Sequence, residues 1–218
     1  MKIAVLTSPN QWFIDYAKEL INSLDNCDLF FDHKEIKNSY QIVFILSYHK
    51  IIEENYLKLH KHNIVVHASA LPKGKGWSPM FWQILEGKNE VPFTMFEASC
   101  GVDEGNIYMQ KVLKLDGTEL NPLLRHKQAQ LVNSMCKEFV LNYEKYKIPT
   151  PQTGKESFYK KRTPLNSQLD INKTIDEQFN LLRVVHNEEY PAFFYKNGKK
   201  YILKIEVTQL SHINPNSF

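Results

Sequence analysis

The chain has 218 residues, of which 43% are hydrophobic and 23% charged, a mixture that supports one large domain with its own core and excludes a disordered chain. A formal charge of +3 gives a nucleic-acid partner no support, and three scattered cysteines, Cys27, Cys100 and Cys136, exclude a disulfide framework or a Cys-x-x-Cys metal site. No apolar run nears the roughly 20 residues of a membrane span, and residues 1–7 read as a buried strand rather than a signal peptide, so a cytoplasmic protein off the membrane is expected.

In chain order, residues 3–6, 29–31, 42–46 and 64–66 are apolar runs of strand length. Between the first two, Phe13, Ala17, Leu20, Ile21 and Leu24 recur at helical spacing, and residues 51–59 give a second, weaker helix. This alternation predicts an α/β fold with a mainly parallel, Rossmann-like sheet. No Gly-x-Gly-x-x-Gly follows the first strand, so a bound nicotinamide is not supported. After His67 comes a turn-rich loop, residues 68–77, and Ser78-Pro79 has the form of a helix start, with a capping hydroxyl and proline in the first turn. Gly87 has the form of that helix's left-handed end. Residues 91–96 and 107–112 are two more strands, and residues 122–146 one long amphipathic helix, ended by Pro149 and Pro151.

The pattern predicts a main domain over residues 1–150 and a small unit over residues 151–218. The unit holds a helix at 175–185 and a hairpin at 192–205 that turns at Asn197-Gly198. Charge is uneven: residues 1–110 carry 10 Lys against 13 acids, and residues 111–218 carry 17 basic against 11 acidic residues. Lys160, Lys161 and Arg162 form the dense basic cluster, readable as a solvated face or as a phosphate contact.

The segment richest in chemistry is His67-Ala68-Ser69-Ala70-Leu71-Pro72-Lys73-Gly74-Lys75-Gly76-Trp77-Ser78-Pro79, followed by Val102-Asp103-Glu104-Gly105. Open α/β sheets bind ligands outside the carboxyl ends of their strands, which is where His67 falls. Location alone leaves structural and catalytic roles open.

The motif resembles the signature of the 10-formyltetrahydrofolate-dependent formyltransferases: His-x-Ser-x-Leu-Pro, a basic residue and Gly, then Pro at a helix start, with an Asp-x-Gly loop 36 residues after the histidine. Among them it is most similar to the bacterial sugar N-formyltransferases, with Ser157 to Pro164, Asp170, Tyr190-Pro191-Ala192 and Gly198 matching their tail. Methionyl-tRNA formyltransferases add a tRNA-contacting domain that this chain is not expected to carry, and glycinamide ribonucleotide enzymes lack such a tail. The resemblance implies an N-formyltransferase that moves a formyl group from 10-formyltetrahydrofolate, as co-substrate, to the amine of a nucleotide-linked amino sugar. No nucleic acid, membrane or metal is expected, and the hairpin is a candidate homodimer contact.

It also implies roles. His67 and Asp103 would be catalytic, since acyl transfer to an amine needs a group to take a proton and donors for a tetrahedral oxyanion. Main-chain groups at Leu46, Ser47, Tyr48, Glu97, Ala98 and Val102 would contact the pterin, and Ser69, Lys73, Lys75, Gly76, Trp77 and Tyr159 the sugar nucleotide. Trp82 is readable as stacking or, better, as core.

The sequence departs from the family at one position. The family's Asn-x-His is here Val65-Val66-His67, and valine donates no hydrogen bond. Ser47, Tyr48 and His49 are the expected substitutes. Competing readings are a binding module without turnover, a formyltransferase for another small amine, and a covalent acyl-Cys100 route. RNA binding through the tail has no basic aromatic stripe behind it.

Overall fold

The computed structural model describes residues 1–208. Its elements run β1 (Ile3–Leu6), α1 (Ile14–Asn22), β2 (Cys27–Phe30), β3 (Ile42–Ile45), α2 (Glu54–Leu57), β4 (His62–His67), β5 (Lys75–Gly76), α3 (Pro79–Leu85), β6 (Glu90–Glu97), β7 (Ile107–Lys114), α4 (Asn121–Leu141), α5 (Tyr143–Tyr146), β8 (Phe158–Tyr159), α6 (Phe179–Val184), β9 (Ala192–Lys196) and β10 (Lys199–Leu203). The main sheet has the order β2-β1-β3-β4-β6-β7, its first four strands parallel and β6 and β7 antiparallel. The expected α/β, mainly parallel, Rossmann-like architecture is therefore present.

Strand periodicity explains the two cores. Ile3 and Val5, Ile42 and Phe44, and Ile64 and Val66 point to one face, where Phe13, Ala17 and Leu20 of the α1 region and Leu124, Val132, Met135 and Phe139 of α4 meet them. Ala4, Leu6, Val43, Ile45 and Val65 point to the other face and pack with Ile36, Tyr40 and Leu57. Central strands buried on both faces read as unbroken apolar runs, which is why they were visible in the sequence.

Three elements differ from expectation. The helix at 51–59 shrinks to the single turn of α2, and the long helix breaks at Asn142 into α4 and α5. Ser78 starts α3 with a left-handed backbone, φ 49°, and its side chain makes no cap, so the expected capping hydroxyl is corrected; Pro79 alone supplies the N-terminal signal. Gly87 takes the left-handed φ of 85° and Asn197-Gly198 turns the hairpin at φ 50° and 73°, both as expected.

A buried ion pair ties α6 to the segment between β7 and α4. Arg183, 1% exposed, reaches Glu119 at 3.1 Å, and Lys127 joins the same carboxylate at 2.5 Å. Burial pushes the Glu119 carboxyl up, but Lys127 and the amides of Asp116 and Gly117 overcome it and hold the group below its ordinary range. Val184 completes the tie inside the main core.

Candidate active site

His67 is the last residue of β4, at the carboxyl end of the parallel strands. Its Nε2 lies 2.9 Å from the Gly74 carbonyl and 3.6 Å from Asp103 Oδ2. Two acceptors face that nitrogen, so Nε2 carries the hydrogen and, in the neutral ring, Nδ1 is the free acceptor. The side chains of His67 and Asp103 are only 10% and 16% exposed, which strengthens their mutual field relative to water.

Backbone devices hold the aspartate. Asp103 sits in the left-handed region at φ 53°, and Gly76 N–H donates to its Oδ2 at 2.8 Å. The Gln152 amide donates to the carbonyls of Asp103 and Gly105 at 2.8 and 2.7 Å, clamping the loop from outside. Gly105 is required because a Cβ there would lie 1.5 Å from the Glu97 carbonyl oxygen. Gly76 is required at φ 92°, with the Tyr159 carbonyl 2.5 Å from where its Cβ would be. The histidine and the distant carboxylate thus meet because two glycines let three backbone segments touch.

Val65 lies on the same strand face as His67 and packs in the cluster of Ile45, Tyr48, Ile52 and Ala98. Hydrocarbon fills the place where the family carries an amide. Asn63, two residues further back, is spent: its backbone N–H donates to Glu97 at 2.7 Å and its side-chain amide to the Leu57 carbonyl at 2.8 Å. Of the expected substitutes, Ser47 donates to Gln11 Oε1 at 2.8 Å, and the Tyr48 hydroxyl is engaged with the His33 amide at 3.2 Å and the His33 ring at 2.7 Å. The Ser47 proton is thus given to Gln11, and the Tyr48 hydroxyl is taken up by His33. The exposed His49 ring remains.

The main-chain positions expected against a pterin divide in the same way. The amides of Leu46, Glu97 and Ala98 are bonded to the carbonyls of Leu6, Asn106 and Asn63, at 2.9, 2.9 and 2.7 Å, so those three donors are used by the sheet. Ser47, Tyr48 and Val102 keep backbone amides outside the ladder. Glu97 also accepts from Asn63 and from the Tyr108 hydroxyl. Burial nevertheless raises the pKa of its carboxyl above the usual range.

The residues expected at a sugar nucleotide do not all face the same way. β5 and β8 pair in parallel, a long-range contact that lays the tail over the glycine loop. Lys75 is 3% exposed and turns inward, 2.8 Å from Glu156 and 3.9 Å from Glu104, so its ammonium is neutralised and unavailable to a phosphate. Tyr159 gives its hydroxyl to Glu86 at 2.8 Å and stacks on Trp82 at 6.2 Å. Trp82 is half-buried with its indole N–H on the Lys160 carbonyl at 2.8 Å, so it belongs to this seam and not to the core. Ser69 is buried with an unpartnered hydroxyl. Lys73 is exposed, and Trp77, 47% exposed, lies under Lys161 at 4.8 Å.

Gln152, and Ser157, which accepts from Gly74 N–H at 2.9 Å and was named only for the tail match, were not expected at the site. Neither carries a local signal, since each acts on a segment tens of residues away. Cys100 is exposed, and no group of three or more His, Cys, Asp or Glu side chains is placed to hold a metal among the described residues.

Residues 31–135, which include β4, the glycine loop and Asp103, match the formyl transferase family model. The methionyl-tRNA formyltransferase of Ehrlichia ruminantium is 29% identical over 161 residues, 73% of this chain and 51% of that protein, so the chain spans about half the length of this curated relative. Among solved structures, a sugar N-formyltransferase from a Shewanella species superposes with a TM-score of 0.69 at 15% identity, covering 96% of this chain and 100% of that one. HypX from Aquifex aeolicus, solved with tetrahydrofolic acid, gives 0.74 at 16% identity over 94% of this chain and 37% of its own. The described residues contain no helix long and apolar enough to cross a membrane. Residues 31–135 therefore form a domain of the formyl transferase family.

Proposed function

We propose that this protein transfers a formyl group from 10-formyltetrahydrofolate to the amino group of a nucleotide-linked amino sugar. The observation that carries the reading is His67 Nε2 held 3.6 Å from Asp103 Oδ2 at the carboxyl edge of the sheet. Attack of the amine on the formyl carbon forms a C–N bond and a tetrahedral oxyanion; collapse breaks the bond to the folate nitrogen. The amine must lose a proton and the folate nitrogen must gain one. His67 is the group placed to carry that proton, and Asp103 orients the ring while balancing imidazolium charge. The departure of the Asn donor at Val65 leaves the oxyanion to main-chain amides and His49, so slower turnover than in an Asn-containing site is part of the proposal.

The sugar nucleotide is supported by the tail pattern and by the end-to-end match to the Shewanella enzyme. The Ehrlichia ruminantium relative favours a second acceptor, methionyl-tRNA, because that protein is a methionyl-tRNA formyltransferase. The test is to incubate the protein with 10-formyltetrahydrofolate and a panel of nucleotide amino sugars, alongside charged initiator tRNA and small amines. Gain of one formyl group by a nucleotide sugar, read by mass spectrometry, supports the proposal. Formylation of the tRNA alone moves the chain to the second reading, and folate binding without any transfer makes it a binding module.

A further inference from the structure

Beside the catalytic edge lies a set of cations that the chemistry above does not use. Arg125, in the second turn of α4, is held between two rings: its guanidinium carbon is 4.4 Å from the Trp12 centroid and 4.4 Å from the Phe81 centroid. Arg162 approaches the same Phe81 ring from the tail, at 5.9 Å. Its Nη1 donates to the Val184 carbonyl at 3.2 Å, while its Nε is buried without a partner. Arg125 has one side-chain hydrogen bond, to Gln128 at 3.2 Å.

Neither arginine has a carboxylate within ion-pair distance among the described residues; Glu119 is committed to Arg183 and Lys127. Burial, opposed by Glu189 and reinforced by Arg162, lowers the pKa of Arg125 to about 10. Burying two like charges against one ring is costly in the absence of an anion. Ring faces occupy the guanidinium planes and leave N–H edges, the geometry that suits bidentate contact with phosphate oxygens.

The position relates this patch to the active site. Gly76 N–H holds Asp103, Trp77 follows it under Lys161, and Phe81 stands four residues beyond Trp77, in the first turn of α3. Trp12 comes from the loop after β1, at the same carboxyl edge of the sheet as His67. A cationic and aromatic strip therefore leads from the catalytic aspartate across α3 to α4.

We propose that Arg125 and Arg162, both against the Phe81 ring, form the diphosphate subsite of the nucleotide-linked substrate, with Lys161 on Trp77 as its outer, exposed member. The inference rests on the nucleotide-sugar reading and deepens it. It also places the phosphate contact away from the sequestered Lys75.

The experiment is calorimetric titration of the full chain with UDP, dTDP, GDP and inorganic pyrophosphate, with uridine and thymidine as phosphate-free controls and tetrahydrofolate as a separate ligand. At least one nucleoside diphosphate should bind and the nucleosides should not. Arg125→Gln and Arg162→Gln should each weaken that binding about 10- to 100-fold, the usual scale for a hydrogen bond to a charged group. Lys161→Gln, on an exposed side chain that does not put folding at risk, should weaken it about 2- to 5-fold. Tetrahydrofolate binding should be unchanged in all three.

Undiminished diphosphate binding by folded Arg125→Gln and Arg162→Gln overturns the subsite and leaves the nucleotide-sugar reading standing. No diphosphate binding by the unaltered protein overturns both. Loss of tetrahydrofolate binding in the arginine variants assigns the pair to the folate's carboxylate tail and overturns the subsite. Should Arg125→Gln fail to fold, Arg162→Gln and Lys161→Gln decide, with Arg162→Lys expected to restore part of the loss.

Discussion

The two ends of β4 carry a histidine each, and they have opposite fates. His62, at the amino end, is sealed: Nδ1 lies 2.9 Å from the Tyr108 hydroxyl and Nε2 2.9 Å from the Tyr143 hydroxyl. Burial, then Lys61, pushes its pKa down, so it is a neutral packing element. His67, five residues on, has one nitrogen facing a carbonyl and a carboxylate and makes no contact with a tyrosine hydroxyl. The residue type is the same; what differs is whether the neighbours consume both ring nitrogens. A parallel sheet enforces this asymmetry, because its amino end is closed by α5 and β7 here while its carboxyl end opens onto loops.

The largest effect expected is at the open end. His67→Asn and Asp103→Asn should each lower kcat/KM about 10²- to 10⁴-fold, or about 3 to 5 kcal/mol in barrier, with the melting temperature nearly unchanged. Steady-state formylation and a thermal melt on the same preparations check both halves. Wild-type rates in either variant would remove the contrast between the two histidines.

At the closed end the expectation is reversed. His62→Phe should cost about 1 to 3 kcal/mol of folding stability, since the Tyr143 hydroxyl loses its partner and the Tyr108 hydroxyl keeps only Glu97. Turnover per folded molecule should stay at the wild-type level. Urea unfolding gives the stability term, and activity normalised to folded protein gives the other. A large catalytic loss without destabilisation would mean that the buried network reaches the chemistry.

Between the ends stands Val65. Val65→Asn should lose about 1 to 3 kcal/mol of stability for placing an amide in the Ile45, Tyr48, Ile52 and Ala98 cluster, and should keep or raise kcat. A fall in kcat by an order of magnitude would mean that another donor already occupies that space.

How much of this was legible follows the same division between local and long-range causes. The two-sided apolar strands β1 and β3 were read almost to the residue, and β4 through its apolar centre at 64–66, because burial on both faces is written in consecutive positions. The His67 loop and the Asp103-Glu104-Gly105 turn were legible because glycine, proline and a strand-end histidine are local marks. The inward turn of Lys75, expected at the sugar nucleotide, was not legible because it is set by Glu156 and by the β5–β8 pairing, both about 80 residues away. Gln152, which clamps the Asp103 loop, and the Arg125–Phe81–Arg162 cluster were invisible for the same reason: no spacing rule joins residues 81, 125 and 162.

The smallest effect tests the electrostatics of the closed end, where two titrating groups share Tyr108 and pull in opposite directions. Glu97 is buried, which raises its folded value, so its contribution is full below the ordinary carboxylate range and is lost as pH rises through the raised value. His62 is lowered by the same burial, so its contribution is present above the ordinary histidine range and is lost as pH falls and the unfolded chain takes up a proton. The stability difference between wild type and Glu97→Gln should therefore shrink as pH goes from about 4.5 to about 7, whereas that between wild type and His62→Phe should grow from about pH 5 to about 7.5. Chemical unfolding at several pH values measures both slopes. Parallel slopes in the two series would show that Tyr108 does not couple a carboxyl and an imidazole held away from their ordinary values.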